Sequence, residues 1–182
     1  MNIFALASSY DPTDCAELHC DQHLHKMILE SAQMVSTAMH HRWSTHFAII
    51  QHMYKPSYHK HPCTIWAGAN NHNTLWLCEL GIALNQIRLD TSNCSDHSSV
   101  DVLRHARDFL EDVVPLASFT NHSPHPFCGP ATIGIRQTTY PETWQKYREF
   151  YRRKAINWKA AGRLMTYTNR PVPEWIADLI TE

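Results

Sequence analysis

The sequence predicts an all-α, single-domain protein. Three observations carry that expectation. Apolar residues recur at three- and four-residue spacing through several long stretches. Aspartate and proline stand where helices open, at Asp11-Pro12, Asp21, Pro141 and Pro173. Alternating runs of strand type are weak throughout. A chain of 182 residues is long enough for one domain with a sizeable core, and it shows no internal repeat or low-complexity linker.

The elements follow in order. Asp11 caps and Pro12 opens a short helix to about Leu18. Asp21 caps a longer helix to about His40, with Leu24, Met27, Ile28, Val35, Ala38 and Met39 as its apolar positions. The prolines of YKPSYHKHP, residues 54–62, make a loop. One amphipathic helix is expected over residues 64–89, through Ile65, Trp66, Trp76, Leu80, Ala83, Leu84 and Ile87. Ser98 begins another, with Val100, Leu103, Ala106, Leu110 and Val113 facing inward. Residues 115–140 hold four prolines and two glycines and read as a long irregular segment, a kind of loop that is often functional. Pro141 opens a strong helix over residues 141–162, with Trp144, Tyr147, Tyr151 and Trp158 on one side. Pro173 opens a short last helix.

Composition excludes some functions and leaves others. No apolar run is long enough for a membrane span. The start, MNIFALASSYDP, lacks the basic residues of a secretory signal and loses its apolar character at Ser8. Six cysteines without a Cys-x-x-Cys pair are expected to be reduced thiols in a cytoplasmic protein. The net charge is −1, but its distribution is uneven. Residues 136–170 contain nine basic and two acidic side chains, whereas residues 1–135 contain seven basic and twelve acidic ones. Such a segment is a candidate phosphate-facing surface, with Arg148, Arg152, Arg153 and Lys154 as contacts. Lys55, Lys60 and His61 of the proline loop are further candidates.

The stretch CDQHLHKMILE concentrates ionisable groups on a helix that must also pack a core. At about 100° per residue, His23, Lys26 and Glu30 fall within one stripe about 60° wide, beside the apolar stripe. A carboxylate there can be partly desolvated and held by cationic neighbours, which is how a working acid–base group is made. An ordinary solvated face with a Lys26–Glu30 pair has the same spacing.

DQHLHKMILE resembles the Asp-Gln-His-Leu stretch and following glutamate near the N-terminus of the endonuclease V-like pyrimidine-dimer DNA glycosylase family; the Asp21-to-Glu30 separation is the same. His61, Pro62 and Trp66 are similar to a downstream His-Pro and Trp of bacterial members. PETWQKYREFY resembles the family's Pro-Thr-Trp and tyrosine-rich C-terminal end. The resemblance implies a DNA glycosylase with abasic-site lyase activity, acting on double-stranded DNA with no cofactor or metal, in the cytoplasm. A chain-terminal amine would attack the sugar's anomeric carbon and displace a damaged or modified pyrimidine. A helix-borne glutamate would stabilise the cationic intermediate and move protons. Those roles fall to Glu30, with His23 and Lys26 as helpers. The amine falls to Met1, or to Asn2 after methionine removal. The terminus is favoured over Lys26, because an α-amino group is partly neutral near pH 7 whereas a lysine is almost wholly protonated.

Three other readings share these residues. One is an enzyme that acts on a modified base without cutting the strand, and another is a DNA-binding protein without catalysis. The third is a metal-dependent protein, because fourteen histidines are many. His19 and His23 have i,i+4 spacing with Cys20 and His25 close by, and His59, His61 and Cys63 alternate in the loop. None of these makes a standard zinc pattern.

Overall fold

A computed structural model describes residues 1–113, 122–123, 125–129 and 143–180. Eight helices make up the described residues, and no strand is found among them. They are α1 (Pro12–Glu17), α2 (Asp21–Trp43), α3 (Phe47–Ile50), α4 (Pro62–Ala69), α5 (Asn71–Thr91), α6 (Val100–Val113), α7 (Thr143–Ala160) and α8 (Glu174–Ile180). The expected all-α domain is what forms. No helix of the described residues is long and apolar enough to cross a membrane.

Helix α2 is the central element and packs against α4, α5 and α6. Its face of Leu24, Met27, Ile28, Val35, Ala38 and Met39 is buried, as the spacing requires. The helix runs three residues beyond His40, to Trp43. Asp21 is its first residue rather than its cap, and Cys20 takes the cap position without a side-chain bond. Tertiary partners account for the difference. The Asp21 carboxylate accepts bonds from the Thr168 amide and hydroxyl, both at 2.8 Å, and from Arg170 at 2.8 Å. Burial pushes this carboxyl up, and the bonds from Arg170 and Thr168 together outweigh it and hold it below its ordinary value.

The single helix expected over residues 64–89 is two helices. The break is Asn70, whose extended backbone (φ −155°, ψ 169°) ends α4 and whose side chain caps α5 by accepting from the Asn73 amide at 2.8 Å. The apolar spacing continues across the break, which is why periodicity alone conceals it. Helix α3 was not anticipated, and Val113 at the end of α6 is exposed. Pro141, and most of the irregular segment at 115–140, lie outside the described residues.

Two features position the site. The first is the amino-terminal segment, whose residues Ile3, Phe4, Ala5, Leu6 and Ala7 all belong to the core. Phe4 stacks on His23 with ring centres 4.8 Å apart and meets Tyr147, Phe150 and Tyr151 of α7. The Arg148 guanidinium donates to the Leu6 carbonyl at 2.8 Å. Of the aromatic face expected on α7, Tyr147 and Tyr151 are fully buried, and Trp144 and Trp158 are half-buried.

The second feature is Asn73, fully buried at the start of α5. Its side-chain amide donates to the Trp66 carbonyl and the Ser123 hydroxyl, both at 2.7 Å, and its oxygen accepts from the Ser123 amide at 2.8 Å. One side chain thus ties α4 and α5 to the segment after α6. Removing it strands buried polar groups, which costs more than a bond between exposed groups. Asn73→Ala is expected to lower unfolding free energy by about 2–4 kcal/mol in urea titrations. A loss below about 1 kcal/mol would mean that the network is not what holds Ser123 in place.

Candidate active site

The site begins with Asn2. Its side-chain oxygen accepts from the amides of Ile3 (2.9 Å) and Phe4 (3.4 Å), and its nitrogen donates to the Cys128 carbonyl at 3.2 Å. Asparagine suits such a local turn because its short side chain can bond its own backbone two residues on. The chain then bends at Phe4, which takes a left-handed conformation (φ 38°) that bulky residues rarely adopt. Burial of the Phe4 ring holds that conformation in place.

The bend aims the chain start at α2. The Glu30 carboxylate meets it with one oxygen, which accepts from the Asn2 amide at 2.9 Å and lies 3.9 Å from the Met1 α-amino nitrogen. Its other oxygen is 3.5 Å from the Lys26 ammonium. The Glu30 side chain is only 12% exposed, whereas that of Lys26 is 63% exposed. Lys26 therefore reaches Glu30 from solvent, and the chain start reaches it from within. Of the five residues expected to carry the chemistry, Met1, Asn2, Lys26 and Glu30 come together.

The fifth, His23, lies on the buried side of α2 instead of the polar stripe. It bonds the Tyr151 hydroxyl, and burial, helped by the charge fields of His19, Lys154 and Lys26, pushes it well below its ordinary value. A neutral imidazole between Phe4 and Tyr151 braces the chain start, which is a positioning role. The spacing of His23, Lys26 and Glu30 could not separate it from its neighbours, because it sits at the edge of the stripe.

The basic residues of α7 divide. Arg148 spends its guanidinium on Leu6 and on the faces of Trp144 and Trp175. Arg152 makes a two-pronged pair with Asp178 (2.6 and 2.7 Å) and bonds the Trp175 carbonyl, fastening α8 to α7. Arg153 is paired with Glu149 at 2.6 Å. Lys154 differs from these. It lies over the rings of Phe150 and Trp158, and burial together with Lys26 pushes it below its ordinary value while Glu30 acts the other way. Lys154 therefore belongs to the Glu30 side of the molecule, as does Arg163, which stacks on the same Trp158. Lys55 and Lys60 are exposed on the loop.

His61 is the N-cap of α4, and its Nδ1 accepts from the Cys63 amide at 3.2 Å. Burial and the nearby terminal amine push it below its ordinary value. With Pro62, Phe127, Cys128 and Gly129 it lines a cavity of about 280 Å³ on the side of the terminal amine. Two larger hollows lie elsewhere, one of about 410 Å³ lined by Thr37, His41 and Thr64, the other of about 420 Å³ beside Arg170. The smaller cavity is the one tied to the chain start, because the Cys128 carbonyl accepts from Asn2 and the charge of the terminal amine reaches His61. Sequence reasoning missed Cys128 because the partners that bring it to the site, Cys63 and Asn2, are 65 and 126 residues away in the chain. No family model, curated protein or solved structure matches this chain.

Three buried histidines give the fold a distinctive acid response. Burial pushes His19 down to about 4 and holds His23 and His125 well below the ordinary range. All three are neutral in the folded protein near neutrality. An unfolded chain protonates them below about pH 6.5 while the fold refuses the protons, so stability is full above that pH and falls as pH drops through it. Between pH 7.5 and 5.5 the three together are expected to cost about 4 kcal/mol, read from urea midpoints. A flat profile would show that these imidazoles take up protons in the fold as readily as in the unfolded chain.

Proposed function

We propose that this protein is a DNA glycosylase with abasic-site lyase activity, whose nucleophile is the amine at the chain start and whose acid–base group is Glu30. One observation carries the reading: both nitrogens that could serve as the terminal amine, Met1 N and Asn2 N, lie against the same carboxylate oxygen. Methionine removal would leave the second of them in place of the first. The sequence resemblance supports the same assignment, and double-stranded DNA is the partner it implies.

The chemistry is the one that the resemblance implies, with this geometry supplying the groups. Glu30 takes a proton from the ammonium, and the freed amine attacks C1′ of the nucleotide. The C1′–base bond breaks with its electron pair going to the base. Glu30 returns its proton to O4′ as the C1′–O4′ bond opens to give an imine, and the restored carboxylate takes a C2′ proton as the 3′ phosphate leaves with its electron pair. The Glu30 carboxylate stabilises the positive charge on the intermediate within a partly desolvated site. Lys26 reaches Glu30 by its other oxygen and leaves the first to the terminal amine. The half-buried Lys154, with the exposed Lys26 and Arg163 near it, supplies positive charge for the DNA backbone.

Borohydride trapping on irradiated, abasic and modified-base duplexes, with peptide mapping of the adduct, tests the reading. The trapped nitrogen is expected at residue 1 or 2 rather than at Lys26 or Lys154. An amino-terminal acetyl group or short extension should abolish trapping, and Lys26→Met should preserve it. A blocked protein that traps as well as the free one would exclude a terminal nucleophile. Glu30→Gln is expected to reduce turnover by about two orders of magnitude, the scale of one strong acid–base or electrostatic contribution, with little change in DNA affinity.

Binding offers a separate measurement. The double variant Lys154→Ala, Lys60→Ala should flatten the log–log salt slope of DNA binding by about two. An unchanged slope would place the DNA groove away from both residues.

A further inference from the structure

Beside the amine, but built from other residues, lies a cluster of softer chemistry. His61, Cys63 and Cys128 each offer a ligand atom, and these atoms all lie within 4.8 Å of one another. The two sulfurs are 3.1 Å apart and unbridged. We propose that these three side chains form a site for one soft divalent transition-metal ion of the zinc type, with its fourth coordination position open to the cavity that His61 and Cys128 line.

Local structure presents the ligands. His61 is the cap and Cys63 the second residue of α4, so a His-x-Cys pair emerges from one rigid helix start. Cys128 arrives on the segment 125–129, which Tyr147 holds from beneath. The Tyr147 hydroxyl donates to the Pro126 carbonyl at 2.6 Å and accepts from the Cys128 amide at 3.3 Å. Asn2 holds the Cys128 carbonyl from the other side. Two thiolates and an imidazole match the donor preference of zinc and cobalt, and three protein ligands with one free position are the pattern of an open site.

The fit requires small movements. Bonds of about 2.3 Å to sulfur in a tetrahedron separate two thiolates by about 3.8 Å, so the pair must open by about 0.7 Å. Cys128 is half-buried and outside any helix, and can supply that shift. Ligation through His61 Nδ1 gives up its bond to the Cys63 amide, which at 3.2 Å is long. The freed N–H can then turn to a thiolate. As the two sulfur–metal bonds form, each thiol releases its proton to solvent, two per ion. Two thiolates offset the dication, so the filled site adds no net charge beside the terminal ammonium. The other buried cysteines, Cys15, Cys20 and Cys78, lie outside this cluster.

The site uses neither Glu30 nor the terminal amine as a ligand, so its test is separate from borohydride trapping. Full-length protein, stripped with chelator and held reduced with a phosphine, is titrated with Co²⁺ and then with Zn²⁺. The expected result is one equivalent of cobalt with sulfur-to-cobalt charge-transfer absorption, displaced by zinc. Cys63→Ser and Cys128→Ser should each remove that absorption, and His61→Gln should weaken binding at least about tenfold. Cys94→Ser, at an exposed thiol outside the cluster, should leave it unchanged. Far-UV circular dichroism checks folding; should the fully buried Cys63 not tolerate serine, the half-buried Cys128 decides. Absence of thiolate–cobalt absorption at stoichiometric metal overturns the proposal, as does absorption that survives Cys128→Ser. Closure of the two thiols into a disulfide on air exposure, with no cobalt uptake by the reduced protein, overturns it as well.

Discussion

Much of the candidate site depends on the burial of one short segment, Ile3 to Ala7, between α2 and α7. A chain start is normally among the most mobile parts of a protein. Here five consecutive apolar residues are withdrawn from water, and the polar atoms they carry inward find partners: the Leu6 carbonyl takes Arg148, and Asn2 bonds its own backbone and Cys128. The larger side chains among them, Ile3, Phe4 and Leu6, each contribute about 1.5–3 kcal/mol, enough to hold the left-handed turn at Phe4. The position of the terminal nitrogen against Glu30 is therefore enforced by packing rather than by the weak attraction of one ion pair.

The same constraint explains why so many residues that look chemical are structural. His23, Arg148 and Tyr151 all serve to hold Phe4 and Leu6. Arg152 holds α8. What remains is a small set near the chain start, with Lys26, Glu30 and Lys154 on one side and His61 and Cys128 lining the cavity. That set mixes a carboxylate, cations, an imidazole and a thiol, with Glu30 3.9 Å from the terminal amine.

The helical architecture was legible in the spacing of apolar residues because each long helix has one buried face. Leu24 through Met39 and Val100 through Leu110 are such cases. The break at Asn70 was not legible, since Trp66 and Trp76 keep their phase across it and only an asparagine cap intervenes. Glu30 and Lys26 could be paired from their i,i+4 spacing, and Met1 could be brought near them only through the family resemblance. Cys128 and Asn73 were beyond reach. Their roles rest on contacts across 50 to 65 residues, and one sequence without relatives carries no record of such pairings. Charge alone did not reveal that Arg148 bonds Leu6 and Arg152 bonds Trp175 and Asp178, because a basic run looks the same whether its guanidinium groups face solvent or a carbonyl.

The bond from Arg148 to Leu6 spans 142 residues, and its consequence is one of timing. Ile3 to Ala7 are made long before α7, yet their place exists only after α7 has been made and has docked. Until then this apolar stretch is an unsatisfied end, free to bind chaperones or neighbouring chains. Contacts of such long range slow folding and expose intermediates to aggregation. They also delay assembly of the cluster, because the Met1 amine meets the Glu30 carboxylate only in the finished molecule. A partly made chain has the parts of this cluster but not their arrangement.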